Sequence, residues 1–252
     1  MILQNITSLF SHKCTISELE KYTRSKKDNI SQNLYKQCKI LIIDDHIADG
    51  DYLFKSSIAF LKNQYNCNIT TKTDLDNLND AAGYDIIICD NEGVGIKLGG
   101  CNKDGIWLLA QLQNQYPDKI YVLFSNIQTS IRRFKRARAH EFWDKNELSR
   151  NSEENGEGGF SDYTLSIMKL YANPAKRWED IRTQLLQSGI SIHSVAQLES
   201  AYVKSIIKER PEIYSKLSGK INLINDNNVD VHKFIKSAGS IINTTISLLA
   251  LI

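Results

Sequence analysis

Five polar residues in this chain stand at or just beyond the ends of short strand-like runs, where side chains can do chemistry. Asp44 and Asp45 follow Ile40 to Ile43, Asp90 follows Ile86 to Cys89, Ser125 follows Val122 to Phe124, and Lys145 follows Phe142 to Asp144. If the runs are neighbouring strands, about 4.8 Å apart, the three carboxylates share one corner. Carboxylates that close repel one another unless a cation sits among them. An all-oxygen ligand set suits Mg²⁺, which takes carboxylates together with a phosphate partner. Lys145 offers a point charge to a carboxylate or a phosphoryl oxygen. Ser125 offers a short hydroxyl donor. Such a set can stabilise a phosphoryl group passing to a carboxylate, a transfer that depends on positioning and charge neutralisation.

The elements that must position these groups follow from the apolar pattern. Lys39–Ile43, Asp85–Cys89 and Ile120–Phe124 are rich in β-branched residues and read as strands buried on both faces. Asn68–Thr71 and His140–Trp143 read as shorter strands. Helical spacing covers Ala48–Tyr65, Leu75–Ala82, Gly105–Tyr116, Gln128–Ala137 and Tyr163–Tyr171. Strict alternation of this kind predicts an α/β domain, a doubly wound five-stranded parallel sheet, over residues 38–172. Ligands of such sheets bind outside the carboxyl ends of the strands, where all five polar residues fall.

The flanks have another texture. Residues 1–37 are polar with scattered apolar positions and read as an N-terminal extension holding a weak helix near Ser17 to Tyr22. Residues 173–252 read as an all-α domain. Asn173-Pro174 supplies an N-cap with Pro at the first helical position. Ser194 to Gln197 can form a capping box. Further helices are expected over Glu212–Leu217 and Val229–Leu249, the latter after the turn Asn225 to Asn228.

Composition excludes more than it names. Hydrophobic residues at 42% and charged residues at 24% exclude a wholly disordered chain. The net charge of +2 argues weakly against nucleic acid as a partner. Five cysteines without a CxxC spacing give neither a disulfide framework nor a zinc site, and point to reduced thiols in the cytoplasm. The apolar run Ile241–Ile252 is interrupted by Asn243, Thr244 and Thr245 and falls short of the about 20 residues of a membrane span. It reads as a buried or partner-facing helix. The basic run Arg132, Arg133, Lys135, Arg136 and Arg138 reads first as a solvated helix face, and second as a docking surface or a source of phosphate contacts. His232 reads as an ordinary helix histidine; Lys236 and Ser237 fall one place late for a histidine phosphotransfer motif.

The four motifs ILIIDD, DIIICD, VLFS and FWDK, in this order, resemble the receiver domain of two-component response regulators. Asp45 and Asp90 lie 45 residues apart, and Asp104-Gly105 looks like the pair that opens the family's third helix. The resemblance covers residues 38–172 and implies a flavodoxin-like fold. It implies that Asp90 accepts a phosphoryl group. Asp45, Asp90 and the backbone carbonyl of Glu92 would hold Mg²⁺, with Asp44 acting through water. Lys145 and Ser125 would contact the phosphoryl oxygens, and Ser125 with Phe142 would form the switch.

The partner implied is a histidine kinase or a phosphotransfer protein, with the helical domain as output and a homodimer through the C-terminal helices. A classical enzyme is not expected, and no membrane partner is. A phosphatase of the D-x-D type is disfavoured because Asp44 and Asp45 are adjacent. The alternative is a receiver-like interaction module that is never phosphorylated. The chain departs from the family pattern in a Gly-rich loop after Asp90 that lacks the usual proline, in Asn126 at a usually small position, and in Asn146 after Lys145 where Pro is usual.

Overall fold

A computed structural model describes residues 14–49, 52–126, 139–224 and 229–250. The expected basic helix Gln128–Ala137 and the turn Asn225–Asn228 lie outside the described residues. The chain divides into two compact units, one of residues 31–172 and one of residues 1–30 with 173–252.

The first unit is a five-stranded parallel sheet of β1 (Lys39–Ile43), β2 (Asn68–Lys72), β3 (Ile86–Asp90), β4 (Ile120–Ser125) and β5 (Glu141–Asp144). Its order is β2-β1-β3-β4-β5. This is the flavodoxin-like doubly wound order. Every residue of β3 and β4 is buried, whereas the edge strands β2 and β5 are only partly so. That difference explains the continuous apolar runs in the centre and the weaker pattern at the edges.

Successive side chains point to opposite faces. Leu41, Ile43, Ile87, Cys89, Tyr121 and Leu123 pack on one face with Leu108, Leu109 and Leu112 of helix Gly105–Gln115. On the other face Phe124 meets Phe54 and Phe160, with ring centroids 5.4 and 5.9 Å away. Phe160 belongs to helix Gly159–Tyr171, which packs against helix Lys55–Tyr65. Numbered in chain order, the helices are α1 (Ile16–Ser25), α2 (Lys27–Gln37), α3 (Lys55–Tyr65), α4 (Ile96–Gly99), α5 (Gly105–Gln115), α6 (Lys145–Arg150) and α7 (Gly159–Tyr171). They continue as α8 (Pro174–Gln187), α9 (Ile192–Ile207), α10 (Glu212–Ile224) and α11 (Val229–Leu249).

Several boundaries differ from the sequence expectation. The helix expected from Ala48 begins at Lys55, because Asp45–Ala48 forms a 3₁₀ turn capped by Asp44. The segment Leu75–Ala82 is helical only as a 3₁₀ turn over Leu78–Ala81, capped by Asn77. α7 starts at Gly159 rather than Tyr163. The capping box expected at Ser194 is displaced: Ser191 caps α9 by accepting from Ser194 N at 3.1 Å. α10 runs to Ile224, well beyond Leu217.

The second unit is helical. Trp178 of α8 stacks on Tyr202 of α9 at 4.7 Å, and Tyr202 meets Tyr214 of α10 edge-on. Val231, Ile235, Ala238, Ile241 and Ile242 of α11 complete this core. Leu19 of α1 is fully buried in it, so part of the leading segment packs as a core helix. Thr15 and Glu18 form the capping box that starts α1, with bonds of 2.7 and 3.4 Å. Asn173 and Pro174 start α8 as the sequence indicates. No helix among the described residues is long and apolar enough to cross a membrane.

Candidate functional site

The carboxyl edge of the sheet gathers Asp44 after β1, Asp90 at the end of β3 and Lys145 after β5. Lys145 Nζ lies 2.7 Å from Asp44 Oδ2 and 2.7 Å from Asp90 Oδ2. Asp44, Asp90 and Lys145 are 0%, 4% and 6% exposed, so these are buried charges that survive only through their partners. The position of Lys145 is fixed locally. Asp144 accepts from Asn146 N and Glu147 N, starting α6 at Lys145. The ammonium also stands 4.5 Å from the centroid of the Phe124 ring.

Each remaining carboxylate oxygen has its own environment. Asp44 Oδ1 accepts from His46 N at 3.1 Å, and Asp44 Oδ2 also accepts from the Tyr52 hydroxyl at 3.1 Å. Asp90 Oδ1 accepts from Asn91 N at 2.6 Å. Asp45 differs. Its side chain is 37% exposed, yet Oδ1 is shielded and receives no hydrogen bond; His46 Nε2 stands 3.9 Å away. Burial raises the Asp90 pKa against the opposing pull of Lys145. Burial works against the Lys145 ammonium, but its bonds to Asp44 and Asp90 outweigh this and hold the proton on lysine. Burial and the neighbouring Asp44 push the Tyr52 phenol well above its usual range, so it acts as a donor.

Asp44, Asp45 and Asp90 each offer an oxygen within 4.8 Å of the others. One ammonium against three carboxylates leaves the corner negative, and the Asp45 oxygen lacks a donor. Both facts suit a divalent cation with oxygen ligands. Gly93, at φ +69°, lies so close that a Cβ there would land inside the Asp45 carboxylate. Gly105 is equally constrained: a Cβ would land on the Asp90 carbonyl oxygen, where α5 starts. The acid corner thus has backbone walls that exclude side chains.

The other expected residues are placed as follows. Ser125 is buried at the carboxyl end of β4, paired in register with Asp144 and next to Phe124, which pairs with Asp90. Phe142 lies on β5 opposite Leu123, half-buried against the α5 side of the sheet. Glu92 lies in the bend just after Asp90. Two residues escaped the sequence reading. Tyr52 carries no signal, because it sits in an irregular segment before α3. Asp74 follows β2 at the same carboxyl edge, which is a readable signal. It accepts from Leu75 N, Gly95 N and Lys97 N at 2.8, 2.7 and 3.0 Å.

No family model matches the chain, and no curated protein matches it. Among solved structures the chain is similar to receiver domains of response regulators. The BeF3-activated DrrB receiver domain is 14% identical, with a TM-score of 0.38 over 54% of this chain and 97% of that one. A response regulator from Burkholderia pseudomallei, solved with a phosphorylated aspartic acid, calcium ion and citrate, is 18% identical. Its TM-score is 0.35 over 64% of this chain and 91% of that one. NtrX from Brucella abortus is 20% identical, with a TM-score of 0.38 over 65% of this chain and 33% of NtrX.

Proposed function

We propose that the unit of residues 31–172 is a receiver that accepts a phosphoryl group on Asp90 in a Mg²⁺-dependent reaction. The observation that carries this reading is Lys145 held between Asp44 and Asp90 beside an Asp45 oxygen without a donor. Asp45, Asp90 and the Glu92 carbonyl would hold the cation, with Asp44 acting through water. Bound there, the cation would neutralise phosphoryl oxygens as charge develops on them.

The rest of the chemistry belongs to the protein's own groups. An Asp90 carboxylate oxygen attacks phosphorus, and the bond from phosphorus to the donor atom breaks. The donor's electron pair leaves with that atom, an imidazole nitrogen when the donor is a phosphohistidine. Lys145 is already within reach of Asp90 and contacts a phosphoryl oxygen from one side, while Asp44 keeps its bonds to Tyr52 and His46 N. Ser125, one residue beyond the strand partner of Asp90, contacts the phosphoryl group from the β4 side. Ser125 and Phe142 then carry the change toward β5.

This is signalling chemistry, one stoichiometric transfer, and not turnover of a small substrate. The donor is a histidine kinase or a phosphotransfer protein in the cytoplasm, where the five free cysteines stay reduced. The helical unit carries the output. α11 spends most of its apolar residues on the core of its own unit and leaves Val229 exposed at its start, so a second copy has to use that position or the exposed Ile192 of α9. Intact-mass measurement with acetyl phosphate and Mg²⁺ tests the proposal. A gain of one phosphoryl group in the wild type, absent in Asp90→Asn, is expected. No gain in the wild type overturns it.

A further inference from the structure

The loop that leaves β3 takes a directed path across the sheet edge. It starts at Asp90, passes Asp45 at Gly93, and reaches Asp74 at Gly95 and Lys97. The strand order β2-β1-β3 makes this a crossing of three strand ends in turn. The far end is fastened by Asp74, which is 7% exposed and spends its carboxylate on three backbone N–H groups. A carboxylate accepting several backbone N–H bonds is a strong, directional anchor. Lys97 adds a second tie, its Nζ lying 3.0 Å from Asp76 on the same connection. Val94, between the two contact points, is fully buried in the core, so the segment is pinned from below as well.

We infer that Asp74 is a positioning residue for the cation site: it holds the glycine loop across the end of β1 so that Gly93 walls the Asp45 carboxylate. This deepens the proposed receiver reading and rests on it. Asp74 does not touch the acid corner itself. It acts through the four-residue link from Glu92 to Gly95, whose carbonyl and backbone wall decide how tightly Asp45 and a cation are enclosed. Residues that orient a metal site from outside its ligands typically cost about 10–100-fold in affinity when changed. The chain uses a clamp here because the loop has no proline to stiffen it and carries glycine at positions 93, 95, 99 and 100.

The test is Mn²⁺ binding to the full chain, followed by electron paramagnetic resonance, with unfolding curves recorded in parallel. Asp74→Ala is expected to weaken Mn²⁺ by about tenfold or more. Asp74→Asn, which keeps one acceptor oxygen, is expected to fall between Ala and wild type. Raising Mg²⁺ to saturation is expected to restore the rate of labelling by acetyl phosphate in Asp74→Asn, a recovery that a general loss of folding would not show. If the Ala variant is poorly folded, the Asn variant carries the comparison. Wild-type affinity retained in a folded Asp74→Ala or Asp74→Asn overturns the role of Asp74 and leaves the receiver reading intact. No Mn²⁺ binding by wild type overturns the cation site and the role of Asp74 with it.

Discussion

Tyr52 and Asp44 are joined by a buried hydrogen bond of 3.1 Å, made to the same Asp44 oxygen that Lys145 holds at 2.7 Å. Asp44 is fully buried, so every lone pair it leaves unmatched is costly. In the proposed transfer, where Lys145 would turn to a phosphoryl oxygen, the phenol would remain as a fixed donor. Tyr52→Phe is therefore expected to lower the unfolding free energy by about 1.5–3 kcal/mol, the range for bonds to charged groups. Urea denaturation of wild type and variant measures it.

Lys145→Ala removes the single ammonium that serves two buried carboxylates. Breaking a buried pair from one side costs about 3–5 kcal/mol. Lys145→Arg is not expected to restore the site, because a planar guanidinium cannot occupy the position of a compact ammonium 2.7 Å from both oxygens. Thermal unfolding reports the stability, and mass labelling reports the chemistry.

A ligand that binds only the folded chain stabilises it by mass action, by about 2.7 kcal/mol at a hundred times its dissociation constant. Mg²⁺ is expected to raise the unfolding midpoint of wild type. Asp45→Asn is expected to remove most of that increment, because it changes the oxygen that lacks a donor. Titration with Mg²⁺ against an equal ionic strength of NaCl separates binding from screening.

Gly93→Ala is expected to weaken Mg²⁺ binding, since the added methyl enters the Asp45 carboxylate and φ +69° disfavours a side chain. Gly83→Ala provides the control, because nothing lies within 4 Å of its Cβ position and its φ is ordinary. Calorimetric titration of both variants checks the contrast.

Leu19→Ala is expected to destabilise the helical unit by about 2–5 kcal/mol, the range for emptying a buried leucine site. The matching loss should be seen by hydrogen exchange in α8 and α9, with which α1 packs.

What the sequence displayed follows from what leaves a local trace. Central strands buried on both faces write themselves as runs such as Ile86 to Cys89, and Asp44 and Asp90 are readable because they end such runs; Lys145 follows the weaker edge strand Glu141–Asp144. The start of α3 is not readable, because Tyr52 and Leu53 keep helical spacing with Ile58 and Leu61 although Asp45–Ala48 forms a 3₁₀ turn capped by Asp44 and α3 begins only at Lys55. Tyr52 itself is invisible in sequence, since its hydroxyl matters only after the chain folds back on Asp44. The place of Asp74 after β2 is legible, but its role is not, because its distant partners are backbone N–H groups 21 and 23 residues away, which no side-chain pattern announces. Leu19 gave one apolar position in a polar segment, too little to assign a core.

The central claim is that Asp90 accepts a phosphoryl group within the corner made by Asp44, Asp45 and Lys145. Intact-mass analysis of the full chain after incubation with acetyl phosphate and Mg²⁺ tests it most directly. The expected result is a gain of one phosphoryl group that disappears in Asp90→Asn and when Mg²⁺ is removed with a chelator. An unmodified wild-type mass, or the same gain in Asp90→Asn, would contradict it.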